Sequence, residues 1–165
     1  MPVDQSELTR VMARVPAPVT VITTIDADGR RRGFTGTSFT SLSLGPPLVL
    51  VCIGKSASTY QSFAGTAQFM ITVLSENQEE VARRFARSGI ERFEAGDMTP
   101  HELGLPGSAL AAARLACTMH GIVDAGDHSI LIGRVEAVHV GDLAPLVHWN
   151  RQYVSARSTA SVGGD

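Results

Sequence analysis

The stretch that decides the fold is Pro46-Pro47-Leu48-Val49-Leu50-Val51-Cys52-Ile53-Gly54-Lys55-Ser56-Ala57-Ser58-Thr59. Leu48 to Ile53 is an unbroken apolar run, too short to stand as a helix and of the right length for a strand covered on both faces. The proline pair launches it. The hydroxyl-rich segment that follows reads as a helix start, because Ser58 and Gln61 have capping-box spacing and Tyr60 and Phe63 follow on one side. Gly65 keeps that helix short.

Toward the N-terminus, Val19 to Thr24 and Arg30 to Phe39 flank the turn Asp26-Ala27-Asp28-Gly29 and predict a hairpin. Before it, Leu8, Val11, Met12 and Val15 have helical spacing, with Asp4 and Glu7 as a capping box and Pro16 and Pro18 as the stop. Toward the C-terminus, Phe69 to Leu74 reads as a buried strand, and Ser75 with Gln78 opens a helix through Val81, Arg84 and Phe85. Ser88 to Ala109 has no period and predicts an irregular surface excursion. Leu115, Cys117 and Met119 then alternate with Ala116, Thr118 and His120, Ala125-Gly126-Asp127 makes a turn, and Ser129 to Val140 and Leu146 to His148 are strands. Strands dominate without a regular β-α alternation, so the expected fold class is mainly β, a closed or partly closed antiparallel barrel with a few short helices. It is expected as one domain over 1–154, with a small polar tail from Ser155 that frays.

The chain has 165 residues, 44% hydrophobic and 18% charged, which fits one domain with a real core and excludes a disordered chain. Fourteen basic residues against 16 acidic ones argue against holding a polyanion such as a nucleic acid. The N-terminal residues lack the apolar core of a secretory signal and no run approaches a membrane span, so the expected location is cytoplasmic. Cys52 and Cys117 lie apart in apolar runs, where a thiol behaves as a small hydrophobe. The five histidines lack metal-ligand spacing, and no dinucleotide fingerprint or nucleophile elbow is present.

Four segments carry polar chemistry. Gly33-Phe34-Thr35-Gly36-Thr37-Ser38-Phe39-Thr40-Ser41 offers hydroxyls and backbone amides without a titrating side chain, suited to reading the edge of a planar heterocycle. Ile53-Gly54-Lys55-Ser56-Ala57-Ser58-Thr59 combines helix-start amides, three hydroxyls and an ammonium, as a phosphate site requires. Lys55 is the only lysine, and its place beside these hydroxyls makes it a candidate positive charge for that phosphate. Arg83-Arg84-Phe85-Ala86-Arg87 brings guanidinium groups to a helix end, with Arg92-Phe93 soon after, and spacing does not choose which arginine reaches the anion. Ala125-Gly126-Asp127-His128 sets a histidine at a hairpin.

In this order, from about Leu8 to Tyr153, these segments resemble the short-chain flavin reductases, the reductase components of two-component flavin-dependent monooxygenases. The further matching pieces are Met12-Ala13-Arg14-Val15-Pro16 with Val19 to Thr24, and Pro46 to Cys52. The resemblance implies an FMN-binding split β-barrel of Greek-key type, working as a homodimer. It implies that Thr35, Gly36, Thr37 and Ser38 hold the isoalloxazine edge and that Cys52 and Ile53 belong to the same site. Ser56, Ser58 and Thr59 would hold the phosphate, and Arg84, Phe85 and Ala86 would close over its side. His128 would meet the nicotinamide, with Tyr153 nearby. Gly36 stands where the family usually has alanine, and Arg92 to Gly107 follows the family poorly. The implied activity is hydride transfer from NADH, or NADPH, to FMN, or FAD, with reduced flavin passed to a separate monooxygenase. The alternative on the same barrel is a flavin-binding electron carrier or storage protein.

Overall fold

The computed structural model describes residues 2–156. Most of the expected tail, 157–165, lies outside them, and Ser155 itself closes the last strand. Helix α1 (Gln5–Met12) starts at Asp4, whose carboxylate accepts from the Ser6 amide. The short β1 (Ala17–Pro18) leads into β2 (Thr20–Ile25) and β3 (Arg31–Gly36), and β4 (Thr40–Leu44) precedes β5 (Pro47–Gly54). After α2 (Tyr60–Ala64), β6 (Gln68–Val73) and α3 (Glu79–Ala86) come the two-residue strands β7 (Thr99–Pro100) and β8 (Pro106–Gly107). The long hairpin β9 (Ala113–Ala125) and β10 (His128–Val140) follows, then β11 (Leu146–Trp149) and β12 (Gln152–Ser155).

Seven strands form one antiparallel sheet in the order β3-β2-β6-β9-β10-β5-β4. The β2–β3 turn is fixed by Asp26, which accepts from the Asp28 and Arg30 amides, and by Gly29 at φ +76°. At the other hairpin Gly126 takes φ +64°, which places His128 at the tip.

The main core packs Ile22, Val51, Ile53, Phe63, Phe69, Ile71, Cys117 and Leu131 inside the curled sheet. Burying side chains of this size contributes roughly 1.5–3 kcal/mol each. Burial pushes the Cys117 thiol up to about 12, so it is inert as expected of a small hydrophobe. On the outer side of β2, Val19 and Val21 pack with Leu74, Val81, Phe85, Met98 and Leu146.

The strands buried along both faces are therefore β2, where Thr20 to Thr24 are all buried, and β6, where Phe69 to Thr72 are, as the Phe69 to Leu74 run predicts. Strand β5 corrects the expectation from its apolar run: Val49, Val51 and Ile53 are buried, but Leu48, Leu50 and Cys52 are only half-buried. The reason is that α3 and the segment after it cover the outside of β2, while among the described residues no element seals the outside of β5. That segment is also less superficial than its composition predicts, because Met98, Leu105 and Ser108 are buried within it.

Candidate functional site

A cavity of about 380 Å³ opens where edge strand β3 faces the end of β5. An edge strand leaves alternate amides and carbonyls outside the ladder, so this wall is polar along its backbone. Gly33 lets α3 lie against β3, since a Cβ there would meet Phe85 Cε1 at 2.8 Å. The Thr35 hydroxyl donates to the Ala82 carbonyl at 2.6 Å, and the Ser38 hydroxyl accepts from the Cys52 amide at 2.9 Å. These hydroxyls brace the walls, so the groups they leave for a ligand are mainly backbone. A Cβ on Gly36 would lie 3.0 Å from the Ile22 Cδ1 methyl, so alanine at this position requires only a small shift of one methyl.

Thr35, Gly36, Thr37, Ser38, Cys52, Ile53, Ser58, Thr59, Phe85, Ala86 and His128 all line this cavity. Thr59 holds its most informative atom. It is 6% exposed, its Oγ1 has no hydrogen-bond partner, and although it is the residue before α2 its side chain caps nothing. The anticipated Ser58–Gln61 box is thus replaced by successive turns, with Ala57 N–H on the Gly54 carbonyl and Tyr60 N–H on the Ala57 carbonyl. A buried hydroxyl left unpaired is costly, which fits a partner supplied by a ligand with acceptor oxygens.

Lys55, Ser56, Arg84 and Tyr153 lie outside this lining. The Lys55 ammonium is 3.6 Å from Asp124 and its amide donates to the Asp127 carbonyl, so it ties β5 to the tip of the β9–β10 hairpin. Arg84 reaches Asp97 at 2.5 and 2.7 Å and donates to the Arg92 carbonyl at 2.9 Å. It therefore holds the segment that carries Arg92, and Arg92 is the guanidinium that lines the cavity, bonded to the carbonyls of Gly33 and Arg87. Tyr153 packs beneath Arg83, 5.1 Å from its guanidinium, and edge-on to His148. Phe34, Gly54, Ala57, Ser88 and Arg92 complete the lining and were not singled out as ligands by sequence.

His128 stands half-exposed at the cavity mouth, and its Nδ1 pairs with Asp127 Oδ1 at 2.7 Å. That bond holds the Asp127 carboxyl below its ordinary value. The Nε2 edge lies over Gly54, whose missing side chain gives it room, a Cβ there falling 3.6 Å away. The tip is further tied down by Ser129, which bonds both Tyr60 at 2.8 Å and Asp124 at 3.0 Å.

Known proteins are similar to this chain over most of its length. An NADH:riboflavin 5'-phosphate oxidoreductase from Streptomyces pristinaespiralis is 39% identical over 145 residues, covering 86% of this chain and 82% of that protein. The reductase subunit of a stachydrine N-demethylase from Rhizobium meliloti is 40% identical over 165 residues, covering 98% and 72%. The solved structure of the Streptomyces globisporus NADH:FAD oxidoreductase, in complex with NAD and FAD fragments, superposes with a TM-score of 0.87 at 34% identity, covering 98% of this chain and 96% of that one. Residues 12–157 match the flavin reductase like domain, and the chain belongs to that family.

Proposed function

We propose that this chain is an NAD(P)H:flavin oxidoreductase that reduces FMN or FAD with NADH and supplies the reduced flavin to a separate monooxygenase. The observation that carries the reading is the convergence on one cavity of the 34–38, 52–54 and 57–59 segments with His128, beside a buried, unpartnered Thr59 hydroxyl. The hard chemistry is supplied by the ligands, a hydride passing from nicotinamide C4 to flavin N5. The protein orients and encloses. Backbone groups of Thr35 to Ser38 read the isoalloxazine edge, Thr59 and Ser58 bind the first phosphate with Arg92 as its cation, and Phe85 and Ala86 close the wall beside it. This division of labour fits a lining that is mostly backbone and hydroxyl groups, with His128, held by Asp127, at its mouth.

His128 positions the nicotinamide and moves no proton, its ring orientation set by Asp127. The variant His128→Ala is expected to raise KM for NADH about tenfold while flavin Kd stays within about twofold. A variant whose flavin affinity falls while KM for NADH is unchanged contradicts this role. Steady-state NADH oxidation with and without added FMN or FAD tests the activity, and a chain that binds flavin without flavin-stimulated NADH loss belongs to the electron-carrier reading.

The same proposal includes a homodimer. Helix α1 buries none of its own residues, with Leu8, Val11 and Met12 each more than half exposed, and eight residues are too few to hold a helix without packing. Together with the unsealed outer face of β5, this apolar surface suits a second copy of the chain. Sedimentation equilibrium should give twice the chain mass, and a monomer would remove the dimer from the account. Among the described residues no helix is long and apolar enough to cross a membrane. A cytoplasmic location, where both free cysteines stay reduced, belongs to the proposal.

A further inference from the structure

We propose that the preferred flavin is FAD, and that its adenosine monophosphate half lies in a second cavity adjoining the first. This rests on the reading that the Thr59 end of the first cavity holds the flavin's first phosphate. The second cavity, of about 370 Å³, shares Ser58, Thr59 and Arg92 with the first and adds Arg31 and Phe93. It therefore begins where FMN would end. His128 lines only the first cavity, so the extension continues from the phosphate end and not from the histidine.

Its charge suits a second phosphate. Arg32 is paired with Asp26 at 2.8 Å, but among the described residues neither Arg31 nor Arg92 has a carboxylate partner. The carboxylate in this wall, Glu91, forms no ion pair among the described residues and leaves the two arginines in excess. Arg31 has its guanidinium carbon 4.9 Å from the centre of the Phe93 ring, and Phe93 meets Phe85 edge-on at 5.1 Å. An exposed guanidinium braced by an aromatic ring can stack on a planar base and bond a phosphate oxygen. FMN would leave both unused. Relatives at similar identity are named for riboflavin 5'-phosphate or for FAD, so kinship alone does not assign the flavin.

NADH carries the same adenosine diphosphate, so the test separates the two sources. Equilibrium titration by quenching of flavin fluorescence should show FAD bound about tenfold tighter than FMN. Arg31→Ala should abolish that difference, with Kd for FMN within about twofold of the unsubstituted chain and circular dichroism unchanged. Equal affinity for the two flavins overturns the proposal, as does a loss in Arg31→Ala that falls on NADH instead of FAD. Failure to bind riboflavin, FMN and FAD alike would instead remove the reductase reading beneath it.

Discussion

Arg114→Ala is expected to lower the stability of the fold by about 3 kcal/mol without touching the candidate site, which measures how the 88–109 segment is held. Arg114 sits on β9 with only 5% of its surface exposed, bonded twice to Glu102 at 2.8 and 2.9 Å and once to the Ser108 carbonyl at 2.8 Å. Removing it strands the Glu102 carboxylate and opens a gap against Gly107, whose Cβ position lies 2.8 Å from Arg114 Cδ. The hydrogen bond from Arg114 holds the Glu102 carboxyl at about 2, against an ordinary 4.5. A carboxyl depressed on folding stabilises fully above its unfolded value, and that contribution is lost as pH falls from about 4.5 toward about 2. Urea denaturation at neutral pH and at about pH 3 should therefore show a smaller loss between the two in Arg114→Ala than in the unsubstituted chain. Adding Glu102→Gln to the variant should recover part of the stability at neutral pH, because the stranded charge is gone. No recovery would mean that packing, not the ion pair, carries the effect.

Thr59→Val should weaken FMN by about 10- to 100-fold, the loss of one hydrogen bond to a charged group, while thermal stability holds or rises. The two expectations point in opposite directions for one physical reason. Without ligand the Thr59 hydroxyl is buried and unpaired, and the N–H of Phe63 still finds the Thr59 carbonyl whatever the side chain, so valine removes a cost and breaks no cap. With FMN present the hydroxyl gains a phosphate oxygen. Riboflavin has no phosphate, so its affinity should change little, and the FMN-to-riboflavin ratio is the quantity to read. Equal weakening of both would place the phosphate elsewhere.

The hairpins around Asp26-Gly29 and Gly126 were legible because their turn residues are ones that adopt the required backbone, and β5 was legible as a strand from its length and composition. Strand β12 was not. It pairs with β11 across a two-residue turn in which both Asn150 and Arg151 have positive φ, and arginine gives no signal for that conformation. The half-exposure of Leu50 and Cys52 also escaped, since an apolar run says that a face wants cover without saying what supplies it. Around the cavity, the hydroxyl and glycine segments of the lining were legible because their residue types are unusual together. That Arg92 and not Arg84 lines it was not, because the two differ only in what each meets: Asp97 captures the first, and the backbone carbonyls of Gly33 and Arg87 hold the second in the cavity wall. Lys55 shows the same limit, its lone position in the sequence giving no sign that Asp124 would face it.

Reduction of flavin by NADH in this cavity is tested by mixing the protein with FMN or FAD and NADH without oxygen and following both absorbances. Flavin should bleach in step with NADH loss, one for one, and Thr59→Val should slow the reaction at limiting FMN but not at limiting riboflavin. Flavin that stays oxidised beside protein-bound NADH would rule out this reaction.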